Sequence, residues 1–167
     1  MAAPPRTVPE LLLRRVELTP DAEAFRYPSA GNWERLSWAQ VLERVRDVAA
    51  GLLSLGLAPE GRVAILSSTR IEWVLADLGV LCAGGATTTI YPSNTADESA
   101  YILSDSGSVV AFAENEEQVQ KLASRREKIP GVRHVVVFDG RPGADGWVMT
   151  LSQLMERGRE FDAAHPR

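Results

Sequence analysis

Residues 62–92 read RVAILSSTRIEWVLADLGVLCAGGATTTIYP. Two apolar runs, Val63-Ala64-Ile65-Leu66 and Ala86-Thr87-Thr88-Thr89-Ile90-Tyr91, flank a segment from Ile71 to Cys82 that is apolar nearly all round. The runs have the length of strands, and the segment between them has the length of a helix. Gly84-Gly85 ends that helix. A strand, a helix and a second strand in about 30 residues form the repeating unit of a parallel sheet.

The unit recurs downstream. Apolar runs begin at Val63, Ala86, Val109 and Val135, which lie 23, 23 and 26 residues apart. Helical segments fill the gaps at roughly 70–83, 96–106 and 116–126. The expected fold class is therefore α/β: a mainly parallel open sheet of about four strands with helices on both faces. The runs are almost continuously apolar, as in strands covered on both sides. The all-round apolar helix Ile71–Cys82 is expected deep in the core, or against something these elements do not supply. Cys82, on that helix, reads as a small core residue, because no neighbouring base would lower its pKa.

Upstream, Trp38, Val41, Leu42, Val45, Val48, Ala49, Leu52 and Leu53 recur at helical spacing and make one apolar face. Gly56 and Pro59 stop that helix. Ala22–Tyr27 and Trp33–Ser37 read as the strands of an N-terminal β-hairpin, with residues 28–32 as its turn. Six segments start with the spacing of a capping box: Thr7/Glu10, Ser37/Gln40, Thr69/Glu72, Thr95/Glu98, Asn115/Gln118 and Thr150/Gln153. Residues 1–60 thus hold a helix, the hairpin and an amphipathic helix. Residues 61–140 hold the parallel βα region. Residues 141–167 hold a loop, a short helix from Leu151 to about Arg157, and a tail. All three read as one compact subdomain.

Composition narrows the function classes. The chain has 167 residues, 45% of them hydrophobic and 24% charged, with a net charge of −4. A disordered chain would have fewer apolar residues. The single cysteine excludes an internal disulfide, and two distant histidines, His134 and His165, make no metal pair. No run of about 20 apolar residues is present to span a bilayer. The start, Met1 to Thr7, has no apolar stretch of a secretory leader, so the cytoplasm is the expected location. Residues 71–120 contain eight acids and no Lys or Arg, so no basic stripe for nucleic acid runs through the middle. These acids are expected in first turns of helices and on solvated faces.

The common catalytic signatures are absent. The sequence has no Walker-type phosphate loop, no Gly-x-Gly-x-x-Gly fingerprint and no nucleophile elbow. In an open parallel sheet, ligands bind beyond the carboxyl ends of the strands. Those ends are Ser67-Ser68-Thr69-Arg70, Tyr91-Pro92-Ser93-Asn94-Thr95, Glu114-Asn115 and Asp139-Gly140. The first lacks the acidic cluster of a receiver domain. It is a weak candidate for phosphate binding, and Thr69 reads more simply as a helix cap. The second is the most distinctive of the four.

Four stretches taken together resemble the adenylate-forming acyl-CoA synthetases, the long-chain fatty acid CoA ligases in particular. They are Ser37–Gly56 with its continuation to Leu57, Glu60–Leu66 with Glu72-Trp73, Asp77–Ala86, and Thr89–Thr95 with Tyr101–Ser106. The likeness runs from about Thr7 to Phe138. Glu60-Gly61-Arg62 departs from the family's usual Gly-Asp-Arg. The resemblance implies an enzyme that joins a fatty acid to ATP and passes the acyl group to CoA, with Mg²⁺ in support. It implies an N-terminal segment that stops just before the phosphate loop, so that this chain alone has no ligase activity and binds ATP, Mg²⁺ and CoA weakly at most. It also implies a contact of Tyr91, Pro92 and Ser93 with the CoA nucleotide, and a cytoplasmic enzyme with peripheral membrane contact. Tyr91 packing against its own subdomain is the competing reading. Two other function classes stand beside this one: a free-standing nucleotide- or CoA-binding module, and an interaction module that forms a homodimer or docks onto the remainder of an enzyme.

Overall fold

The computed structural model describes residues 4–166. Residues 1–3 of the expected N-terminal start and residue 167 of the expected tail lie outside the described residues. In chain order the elements are α1 (Val8–Leu18), β1 (Glu23–Ser29), β2 (Asn32–Ser37), α2 (Trp38–Ser54), β3 (Arg62–Leu66), α3 (Ile71–Cys82), β4 (Ala86–Ile90), α4 (Ala96–Ser106), β5 (Val110–Asn115), α5 (Glu116–Ala123), β6 (His134–Asp139), β7 (Val148–Thr150) and α6 (Leu151–Ala164). A short 3₁₀ turn, Arg126–Lys128, follows α5.

Strands β3 to β7 form one parallel sheet in the order β4-β3-β5-β6-β7. Alternation along the strands divides the core. Val63, Ile65, Val110, Phe112 and Val136 face α2, α3 and α6. Ala64, Leu66, Ala111, Ala113, Val135 and Val137 face α4 and α5. The chain runs from β3 outward to β4 and then back across β3 to β5. Right-handed crossovers in opposite directions place α3 and α4 on opposite faces. A third cluster, outside α2 and α3, joins Leu12 of α1 and Leu36 of β2 to Val41, Val45, Ile71 and Leu75.

The expected α/β architecture is present, with a fifth strand beyond the four read from the sequence. Strand β7 has three residues, and only an eight-residue loop, 140–147, connects it to its parallel neighbour β6. Parallel neighbours usually need a crossover of a dozen residues or more. Here the loop is pinned instead. Gly143 N–H donates to Val148 O at 2.9 Å, and Val135 N–H donates to Trp147 O at 2.8 Å. The Trp147 indole donates to Val132 O at 3.0 Å. The Arg126 guanidinium lies 4.4 Å from the Trp147 ring centroid and pairs with Asp145.

Three of the six capping pairs close in both directions: Ser37/Gln40, Thr95/Glu98 and Thr150/Gln153. Thr7 and Asn115 cap one way only. Glu10 bonds Arg6 N–H instead of that of Thr7, and the Gln118 side chain is turned inward and buried. The Thr69/Glu72 box does not form. The N-cap position falls on Arg70, which makes no capping bond, and Glu72 is drawn to the Arg70 guanidinium at 2.6 Å. The hairpin turn is also tighter than read. Ala30 and Gly31 alone connect the strands, with φ of 48° and 82°. This is the left-handed pair that matches strand twist in a two-residue loop.

Helix α6 runs to Ala164, well past the expected end near Arg157. Its interior residue Gly158 lies against α2. A Cβ at Gly158 would meet Asp47 O and come within 2.8 Å of Gly51 N, and one at Gly51 would lie 2.5 Å from Leu154 O. The helices therefore meet backbone to backbone, and Arg46–Asp162 and Arg159–Asp47 ion pairs flank the crossing. Helix propensity alone makes Gly158→Ala stabilising by about 1 kcal/mol. Packing reverses the sign: the added methyl forces the α2 and α6 backbones apart, and we expect a loss of about 2–3 kcal/mol in urea unfolding. An unchanged or raised midpoint would refute this close crossing.

Candidate functional site at the carboxyl end of the sheet

The topological switch lies between β3 and β5, where the chain reverses its direction of travel across the sheet. Beyond these strand ends is a crevice of about 720 Å³, walled by hairpin residues Phe25–Ala30 on one side and by Ser68, Arg70, Glu114 and Asp139 on the other. Clefts of this size and place are the usual ligand sites of open α/β sheets.

Its polar groups are already committed to one another. Glu114, at the end of β5, accepts from Ser68 N–H at 2.9 Å and from Ser68 Oγ at 2.7 Å. Ser67 Oγ donates to Ser68 O at 2.8 Å. The donors that made Ser67-Ser68-Thr69 a phosphate candidate thus serve a carboxylate and a carbonyl of the protein, and Thr69 is not the helix cap. Arg70 is the hub. It reaches Glu72 at 2.6 Å and Asp139 at 2.5 and 3.2 Å, and it lies 5.8 Å from the Phe138 ring centroid. Its hydrogen bonds to Asp139, opposed by burial and aided by Glu72, push its pKa up. One guanidinium ties the ends of β3 and β6 to the start of α3. Two carboxylates meet it and Glu114 adds a third to the lining, so the crevice does not offer excess positive charge to an anion.

Tyr91, Pro92 and Ser93 follow β4, the edge strand, at the same end of the sheet but outside the crevice wall. Their backbone is held firmly. Asn94 N–H donates to Tyr91 O at 3.0 Å. Lys121 Nζ, from α5, donates to Pro92 O at 2.6 Å and to Asn94 O at 2.8 Å. The capping box of Thr95 and Glu98 fixes the exit into α4. The Tyr91 ring itself is 76% exposed, so it does not pack against its own subdomain. The loop is a stiff backbone presenting one free aromatic face. Lys121 was not legible as a clamp, because nothing in its local sequence brings it to a loop 27 residues away.

Below the loop, Asp97 receives Arg125 at 2.8 and 3.0 Å and Lys128 at 2.8 Å. Arg125 first, and then Lys128, hold its carboxyl far below the usual range. Cys82 is half-buried, and burial alone pushes its thiol up. Burial lowers His134, which sits at the start of β6, away from the crevice. Among the described residues, no group of three or more His, Cys, Asp or Glu gathers as a metal site. None of the described helices is long and apolar enough to cross a membrane.

The family profile of AMP-binding enzymes matches residues 12–164. A long-chain-fatty-acid–CoA ligase of Mycobacterium bovis is 33% identical over 146 residues, which are 87% of this chain and 23% of that protein. The long-chain-fatty-acid–CoA ligase heimdall of Drosophila melanogaster is 33% identical over 141 residues, 82% of this chain and 21% of that one. The chain thus spans between a fifth and a quarter of the length of these relatives. The crystal structure of an anthranilate CoA ligase in complex with anthranoyl-AMP superposes with a TM-score of 0.78 over 90% of this chain and 27% of its own, at 21% identity. That likeness concerns the fold.

The Asp97 cluster makes a pH prediction. A carboxyl whose folded pKa is depressed contributes stability above its unfolded value, near 3.8, and loses it as pH falls toward the folded value. Asp97→Asn should therefore lower the urea midpoint at pH 7, and the gap to the parent chain should narrow between pH 4 and pH 2. A gap that stays constant across that range would exclude the ion cluster as its cause.

Proposed function

We propose, because this chain belongs to the AMP-binding enzyme family, that it is the N-terminal portion of a long-chain fatty acyl-CoA ligase. The observation that carries the proposal is the family match across residues 12–164, joined by relatives with that activity over more than four-fifths of the chain. In such a reaction a fatty carboxylate oxygen attacks the α-phosphorus of ATP, and pyrophosphate leaves. The CoA thiolate then attacks the acyl carbonyl, and AMP leaves.

The role of this chain is structural and positional. Its crevice groups are spent on the Arg70 and Glu114 networks, and its described residues gather no carboxylate set fitted to hold Mg²⁺. No catalytic step is assigned to them. The exception is the loop after β4. Tyr91, exposed on a backbone that Lys121 anchors, offers a stacking face to the adenine of CoA, with Pro92 and Ser93 beside it. With that reading goes a cytoplasmic enzyme with peripheral membrane contact.

Two measurements on one enzyme system test the reading. This chain alone, given ATP, hexadecanoate and labelled pyrophosphate, should show no exchange above background; turnover would overturn its assignment as a non-catalytic portion. In a polypeptide that extends this chain to the length of its relatives, Tyr91→Ala should raise the KM for CoA about tenfold, the usual worth of one base stack, and leave the KM for ATP unchanged. An unchanged KM for CoA would remove Tyr91 from the site.

A further inference from the structure

The loop after β4 has few donors to spare for its own carbonyls. Pro92 has no N–H, Asn94 N–H is spent on Tyr91 O at 3.0 Å, and Thr95 N–H is spent on Glu98 at 2.8 Å. The carbonyls of Pro92 and Asn94 nevertheless converge on one atom, Lys121 Nζ, at 2.6 and 2.8 Å. Two carbonyl dipoles aimed at one point repel unless a donor lies between them. An ammonium suits that place, because it is a compact charge with three donors. Helix α5 holds it there. Gln118 and Leu122 on the same helix are both buried, which fixes the rotation of α5 against the core. Among the described residues the Lys121 ammonium is in no ion pair, so its charge is left to the two carbonyls. A second brace lies further along, where Arg125 and Lys128 hold Asp97 in the first turn of α4. The connection from β4 to α4 is therefore shaped from α5 and the turn after it, and not by its own sequence alone.

We infer that Lys121 is a positioning residue for recognition of the CoA nucleotide. It touches no substrate. It fixes the backbone on either side of Ser93, and that backbone carries the exposed Tyr91 ring. The inference rests on the proposed contact of Tyr91 with CoA and adds the group that holds that contact in place. A base stack needs the ring at a set height and tilt, and a loop without its clamp must be ordered anew at each binding event. The role belongs to the charge and its donors, since charge-assisted hydrogen bonds are the stronger kind. A neutral side chain of similar length keeps the packing of the stem and leaves the two carbonyls unheld. The same logic sets a preference among thiol acceptors. Pantetheine, the thiol arm of CoA without its nucleotide, makes no use of Tyr91 and therefore none of Lys121.

The test has two arms. The first uses this chain alone and does not depend on the ligase reading. In Lys121→Met, amide hydrogen exchange at Asn94 and Thr95 should quicken about tenfold or more, while the amides of β3 and β5 keep their rates. Lys121→Arg, which keeps charge and donors, should restore most of the protection. Unchanged exchange at Asn94 in Lys121→Met would overturn the clamp. The second arm uses the polypeptide that extends this chain to the length of its relatives. There Lys121→Met should raise the KM for CoA about tenfold and leave kcat and the KM for ATP unchanged. Added to Tyr91→Ala, it should raise that KM by less than about a further twofold, because both changes act through one contact. With pantetheine as acceptor, its KM should not move. An equal rise for CoA and pantetheine, or full additivity with Tyr91→Ala, would overturn the positioning of the nucleotide. Faster exchange in Lys121→Met, together with an unchanged KM for CoA in Tyr91→Ala, would uphold the clamp and overturn the Tyr91 contact instead.

Discussion

Helix α2 is gripped by its neighbours at separations that leave no room for a side chain. Gly158 of α6 rests on the backbone at Asp47 and Gly51, and Gly79 of α3 sits where any Cβ would collide with Val48. The same stretch of α2 turns Val48 and Leu52 onto the sheet. One turn earlier, Val41 and Val45 face away from it, toward α1 and the hairpin. Each of these side chains stabilises by roughly 1.5–3 kcal/mol when fully buried. Helix α2 is therefore the connecting beam of the molecule. It fixes the height of α3 and α6 above the sheet, and it carries the N-terminal helix and hairpin on its outer side.

That placement shapes the carboxyl end of the sheet. With the hairpin held outside α2 and α3, its tip stands across the crevice from Ser68, Arg70, Glu114 and Asp139. Strand ends usually leave unsatisfied groups there, which ligands then exploit. In this chain the side chains satisfy one another: Ser68 with Glu114, and Arg70 with both Glu72 and Asp139. The result is a rigid floor, and the freely presented group is the Tyr91 ring on the neighbouring loop. Rigidity and presentation come from different residues. Lys121 and the Thr95 cap hold the backbone, and the ring stays exposed among the described residues.

The features legible in the sequence were those set by local periodicity. The spacing of apolar runs revealed four strands, and the pairs Ser37/Gln40, Thr95/Glu98 and Thr150/Gln153 located helix starts within a residue. The failures share a cause, which is competition from groups distant in sequence or in the wrong direction. Glu72 has the spacing of a capping partner for Thr69, but the adjacent guanidinium of Arg70 binds a carboxylate more strongly than a backbone N–H does. The residues after Arg157 read as a tail, until the backbone of α2 is seen to require a glycine at 158 inside the helix. Strand β7 was hidden because three residues carry no period, and its stability rests on Trp147, Arg126 and Asp145 rather than on its own pattern. For the candidate site, the position of Tyr91 at the carboxyl end of a strand was legible from the strand–helix alternation. Its exposure and its Lys121 clamp were not, because both depend on how α5 packs.

The remaining tension lies in α3. A helix apolar nearly all round demands cover on every side. Ile71, Leu75, Ala76, Gly79 and Val80 are buried, but Trp73, Val74 and Leu78 stay half-buried. Helix α1 covers some of that flank, yet it does so with a single buried leucine, Leu12, and leaves its other leucines about half exposed or more. A tighter seat would require α1 to roll toward α3. The stacking of Arg15 on Trp38 opposes such a roll, because it keeps a guanidinium and an aromatic ring between the two helices. An open groove between α1 and α3 lies beside that stack, and Val74 and Leu78 on the half-buried side of α3 are part of its floor.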